Sequence, residues 1–178
     1  MAQLVALLRG INLGRNKRIA MAELRDMLEG LGYDDVRTLL QSGNALFHTT
    51  DKPAVVERAV ERAIADRFGF DVPVMVRTGA QLRDVVATSP FDAIADDPKR
   101  YQVVFLSKAP DAAAVRALTD ADHGAEQFAA KGREFYCWCP EGVQNSVLLK
   151  AIDKSKTGAD ATVRNWNTVT KLHSMLAD

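Results

Sequence analysis

The chain begins with an unbroken apolar run, Leu4 to Leu8, closed by Arg9-Gly10. A run this short predicts a buried strand. Polar and basic residues from Asn12 to Arg18 form a loop after it. Met21, Leu24, Met27, Leu28 and Leu31 then recur at helical spacing, and Gly32 is placed to end that helix in the left-handed conformation. Val36–Leu40 and Ala45–His48 predict two strands joined by Gln41-Ser42-Gly43-Asn44, a hairpin signal. Asp51 and Pro53 announce a long helix whose apolar stripe is Val56, Ala59, Val60, Ala63, Ile64 and Phe68. Gly69 closes it, and Val72–Arg77 supplies a fourth strand. The order β-α-β-β-α-β is the split βαβ of ferredoxin-like folds, an antiparallel sheet with both helices on one face.

The pattern then repeats more loosely. Thr78 and Gln81 have capping-box spacing and start a short helix ending near Thr88, where Ser89-Pro90 breaks it. The acidic stretch from Asp92 to Pro98 is a loop. Tyr101–Leu106 predicts a strand and Pro110–Leu118 an alanine-rich helix. Ala125–Ala130 and Arg133–Cys139 predict a hairpin around Lys131-Gly132. After a turn at Pro140–Gly142, Val147–Ile152 continues as a helix. A last helix is predicted from about Thr162 to Leu176, with Trp166, Val169, Leu172 and Leu176 inward. The second half therefore reads β-α-β-β-α, the first half without its final strand, a likeness of element order with no sequence identity behind it. The expected class is α+β: a ferredoxin-like βαββαβ subdomain over residues 1–78 and a related βαββα subdomain with a C-terminal helix over 79–178. The boundary falls between Arg77 and Pro98.

Composition narrows the function. Of 178 residues, 47% are hydrophobic and 26% charged, which fits a soluble globular chain and excludes intrinsic disorder. No stretch approaches the roughly 20 apolar residues of a membrane span, so no membrane partner is expected. Met1 to Leu8 lacks a basic leader region and a cleavage site, so no signal peptide is expected either. Two cysteines, Cys137 and Cys139, are too few for a disulfide framework, and a reducing cytoplasm is the expected location. They share one face of a strand and read as buried apolar residues, and His48, His123 and His173 add no zinc-like spacing. No metal and no cofactor are expected.

Lys plus Arg number 23 and Asp plus Glu 23, so overall charge does not hold this protein to a polyanion. The neutrality is uneven. Residues 1–20 hold Arg9, Arg15, Lys17 and Arg18 without an acid. Residues 146–174 hold Lys150, Lys154, Lys156, Arg164 and Lys171 against Asp153 and Asp160. Residues 80–130 carry eight acids against five bases. Basic ends flank an acidic middle, which gives either a local positive site or ordinary solvated faces.

Three segments concentrate polar chemistry: Arg9-Gly10-Ile11-Asn12, Gln41-Ser42-Gly43-Asn44 and Arg164-Asn165-Trp166-Asn167-Thr168. In the predicted last helix Arg164, Thr168 and Lys171 share one face. With Thr162 as N-cap, Arg164 stands in the first turn, against the helix dipole unless an anion or carboxylate joins it. These segments, with Leu13-Gly14, Met21-x-x-Leu24 and the continuation to Leu172, resemble the bacterial family labelled domain of unknown function 1697. The resemblance runs from the first strand to the last helix. It implies a cytoplasmic α+β protein and carries no established activity. Arg15 departs from it, standing where the family often has a small residue.

No dinucleotide or P-loop motif is present. Lys156-Thr157-Gly158 lacks the Ser-x-x-Lys partner that would make it a β-lactamase element. The leading expectation is a pocket for a small anionic ligand, phosphorylated or not, formed by Arg9, Asn12, Lys17, Ser42, Asn44, Arg164, Asn165, Asn167 and Lys171. Arginines give bidentate charge-assisted contacts and amides fix orientation. Such groups suit electrostatic stabilisation of phosphoryl or acyl transfer better than covalent catalysis, and whether a reaction occurs stays open. One alternative is a nucleic-acid module using Arg15 to Arg18 and the C-terminal lysines. A second is a protein-interaction module, monomeric or dimeric, using Tyr136 and Trp138. A third is that these polar groups tie loops and halves together.

Overall fold

The computed structural model describes residues 1–177. Its elements are β1 (Ala2–Leu8), α1 (Met21–Gly30), β2 (Asp34–Leu39), β3 (Asn44–Thr49), α2 (Pro53–Phe68), β4 (Val74–Thr78) and α3 (Gly79–Ala87). They continue as β5 (Tyr101–Leu106), α4 (Ala112–Asp120), β6 (Gln127–Lys131), β7 (Glu134–Trp138), α5 (Val147–Lys154), β8 (Ala161–Asn165) and α6 (Trp166–Ser174). The class is α+β, with two four-stranded antiparallel sheets ordered β2-β3-β1-β4 and β6-β7-β5-β8. Two compact units emerge. One holds Met1–Asp84 with the residues from Leu172 onward, the other Val85–Lys171, so the chain changes unit inside α3 and again inside α6.

In the first unit the central strand β1 lies between β3 and β4. Leu4, Ala6 and Leu8 face α1 and α2, sharing a core with Phe47, Val74, Val76, Leu24, Leu28, Val56, Val60 and Ile64. Val5 and Leu7, pointing the other way, are buried too. Burial on both faces is why this strand reads as a continuous apolar run rather than an alternation. Helix α2 starts with Pro53 in its first turn and ends at Gly69, whose φ of 77° suits the left-handed cap. Two of its glutamates, one turn apart, reach the outer strand. Glu61 Oε1 accepts the Val74 N–H and Glu57 Oε1 the Val76 N–H, both at 3.0 Å. At the head of α3 the Thr78 N–H donates to Gln81 Oε1 at 2.9 Å and the Gln81 N–H to Thr78 Oγ1 at 3.1 Å, a reciprocal capping box.

The second unit repeats the plan, and two expectations need correction. Residues 161–165 form a strand, β8, pairing with β5 from Gln102↔Asn165 to Leu106↔Ala161. The second half therefore also ends its sheet with a fourth strand. Thr162 is not a helix cap; α6 starts four residues later, and Asn165 Oδ1 accepts from the Thr168 N–H at 3.0 Å. Arg164 is consequently a strand residue and does not share a helix face with Thr168 and Lys171. The core against α4 and α5 contains Val104, Leu106, Phe135, Cys137, Cys139, Leu118, Leu148 and Ile152. On the other face of this sheet Trp166 stacks on Tyr101 with ring centroids 4.7 Å apart. Tyr136 and Trp138 are buried, so this face presents neither ring for stacking on a nucleic-acid base.

The halves agree at one detailed point. Arg77 of β4 pairs in register with Val5, and Arg164 of β8 with Val103. Each arginine is nearly fully buried, donates to the carbonyl of the residue before it, and precedes the residue that caps a helix. Val76-Arg77-Thr78 and Val163-Arg164-Asn165 are thus the same structural station.

Candidate functional site

Where β1 leaves the first sheet, Arg9-Gly10 takes the chain into a loop that returns at Ile19, and Asn12 organises it. Its N–H donates to the Lys17 carbonyl at 3.1 Å, and its Oδ1 accepts the Ile19 N–H at 3.0 Å. Its Nδ2 donates to the Ile19 carbonyl at 2.9 Å and to the Gln41 carbonyl, in the β2–β3 turn, at 2.7 Å. The first two polar segments of the sequence therefore meet within one unit, joined by one amide. Glycine is required on the turn side: Gly43 has φ 87°, and a Cβ there would stand 2.7 Å from Ile11 Cδ1. Asn44, fully buried, donates through Nδ2 to the Leu39 carbonyl at 2.8 Å and to Ser42 Oγ at 3.0 Å.

The loop backbone alternates in hand. Gly10, Asn12 and Gly14 have φ of 69°, 57° and 94°, with Ile11 and Leu13 between them outside the left-handed region. Such alternation gathers backbone N–H groups into an anion-binding concavity. The N–H groups of Leu13, Gly14 and Arg15 donate to no acceptor among the described residues. Downstream, α1 has Ala20 at its N-cap and so no side-chain cap, which leaves its first-turn amides open.

Charge follows the same geometry. Arg9, Arg15, Lys17 and Arg18 are exposed. Lys17 Nζ donates to the Asp71 carbonyl and Arg18 to the Gly14 carbonyl, each at 2.9 Å. Among the described residues, Arg15, Lys17 and Arg18 have no carboxylate partner. Lys17 and Arg18 are held by neutral carbonyls, so their positive charge stays uncompensated.

The remaining sequence candidates lie in the second unit. Arg164 is buried and its guanidinium donates to Thr162 Oγ1 at 2.8 Å and to the Val163 carbonyl at 2.9 Å. Desolvation lowers its pKa to about 10. Asn165 caps α6, while Asn167 and Lys171 are exposed on that helix. Sequence reasoning overlooked Arg77, although the recurrence of Val-Arg before a capping residue was a readable signal. It also overlooked the Gln41 carbonyl, which no side-chain pattern reveals.

A family model described as protein of unknown function (DUF1697) matches residues 1–136. The chain belongs to that family. The matched stretch of this DUF1697 member contains both segments joined by Asn12, while Arg164–Leu172 lies beyond it. Among solved structures, one described as conserved bacterial protein SP0830 from Streptococcus pneumoniae is similar over 99% of each chain. Its sequence identity is 24% and its TM-score 0.81, a likeness of fold. No curated protein matches this chain. Among the described residues no helix is long and apolar enough to cross a membrane.

Proposed function

We propose that the loop between β1 and α1, braced by the β2–β3 turn, binds a small anion such as a phosphate or carboxylate group. The observation that carries this reading is that Arg15, Lys17 and Arg18, exposed and without carboxylate partners among the described residues, stand on a loop that the Asn12 amide braces. A fixed loop lowers the ordering cost of binding, and guanidinium groups supply paired charge-assisted hydrogen bonds. In this reading Arg9 and Arg15 contact the anion and the open N–H groups of Leu13, Gly14 and Arg15 supplement them. Asn12, Lys17, Ser42 and Asn44 keep the loop and turn in place. Two buried free thiols suit a reducing cytoplasm.

Calorimetric titration with inorganic phosphate tests the loop. Arg9→Ala and Arg15→Ala are expected to weaken binding by about tenfold or more, the worth of a charge-assisted hydrogen bond. Because the Arg15 side chain is exposed, Arg15→Ala should move the melting temperature by only about 2 °C or less. Absence of saturable phosphate binding would sink this reading. Binding to a polynucleotide that falls steeply with salt would favour the nucleic-acid alternative.

A further inference from the structure

The two most exposed leucines of the described chain flank this same loop. Leu13 is 79% exposed and follows Asn12; Leu40 is 57% exposed and precedes Gln41. The 2.7 Å bond from Asn12 Nδ2 to the Gln41 carbonyl joins the chain neighbours of these two leucines. Leu40 also has φ of 60°, a left-handed conformation that a Cβ disfavours and that Gly or Asn adopts more readily. Its backbone works against folding stability, and its exposed side chain gains nothing from burial. An exposed leucine held in a left-handed backbone beside a polar loop points to contact with something else.

We infer that the anion bound here carries an apolar or aromatic body. The site is then one for phosphate esters of aryl type, with Leu13 and Leu40 covering the body while the loop holds the phosphate. This inference rests on the anion-binding reading above. The loop's charge is complementary to a phosphate group, whereas the zero net charge of the whole chain gives no attraction to an extended anionic surface. Two leucines present little area for a membrane or a large partner but suffice for one ring.

Titration of the full chain with inorganic phosphate and with phenyl phosphate separates the two layers of the argument. Phenyl phosphate is expected to bind about tenfold more tightly, and Leu40→Gly and Leu13→Ser each to reduce that advantage about fivefold through lost apolar contact. Neither variant should change the affinity for inorganic phosphate. Leu40→Gly should melt at or above the wild-type temperature, since glycine relieves the left-handed backbone; loss of ligand advantage in a protein no less stable excludes a folding defect. Equal affinity for the two phosphates would overturn the apolar-body inference and leave anion binding intact. No binding of either would overturn both. Sedimentation with phosphatidylglycerol vesicles that Leu13→Ser abolishes, without phenyl phosphate binding, would assign the leucines to a lipid surface and overturn the proposal.

Discussion

Asn12 illustrates how one side chain can determine a loop: its amide serves Ile19 in both directions and Gln41 across the turn. The same scale holds a pH-dependent feature. Cys137 and Cys139 are free and buried. Burial pushes the Cys137 thiol well above its ordinary value of 9.0, with Cys139 and Glu126 adding to the effect. For Cys139 burial dominates as well, partly opposed by the Ser146 hydrogen bond, and its pKa is pushed up to about 11. A raised acid pKa means that the fold favours the neutral thiol. This contribution to stability is complete below the unfolded value near 9 and disappears as pH rises through about 11. Native protein at pH 8 should therefore resist alkylation at both thiols, and unfolded protein should react at both. Cys139→Ala should flatten part of the loss of melting temperature between pH 9 and 11. Rapid modification of native protein at pH 8 would contradict the account.

At the scale of elements, helix ends decide most of the polar placement. The start of α5 is held by Ser146, whose Oγ accepts the Leu149 N–H at 3.0 Å, and by Glu126 from the segment before β6. Glu126 accepts the Val147 N–H at 2.9 Å, the Leu148 N–H at 3.3 Å and the Ser146 hydroxyl at 2.5 Å. Glu126→Ala removes the acceptor for all three and is expected to cost about 1–3 kcal/mol in urea unfolding. A change of a few tenths would mean that water replaces the carboxylate. Elements with a sustained apolar stripe, such as α1 and α2, were legible in the sequence to within two or three residues. Strand β8 was not. As an outer strand it carries an exposed Val163 and a buried Arg164, so its pattern lacks the alternation that marks a half-buried strand. Thr162 looked like a cap, and the residue that caps, Asn165, was read as a ligand contact. In the candidate site the positions of the cations were readable. The left-handed conformation of Leu40 was not, because the local preference of leucine runs against it.

At the scale of the molecule, each half completes its own four-stranded sheet, and the chain's last residues join the first unit. Leu172 is fully buried, the Ala177 N–H donates to Gln3 Oε1 at 2.8 Å, and Arg83 donates to the Ala177 carbonyl at 2.5 Å. Leu176 lies in contact range of Gly79 at the head of α3. Removing residues from Leu172 onward should therefore loosen β1 and α3, far away in sequence. Burial of Leu172 alone is worth about 1.5–3 kcal/mol. Hydrogen exchange should accelerate in Ala2–Leu4 and Gly79–Arg83; unchanged protection there would show that the C-terminal segment adds nothing to the first unit.

The two glutamates of α2 that accept the Val74 and Val76 amides have a consequence for self-association. An outer strand ordinarily offers a row of open donors that can template a strand from another molecule. On β4 two of those donors are already occupied from within the chain. The other outer strand of that sheet, β2, has its ladder interrupted between Asp34 and Arg37. The first sheet is thus protected from edge-to-edge aggregation on both sides, by carboxylates on one and by a broken register on the other.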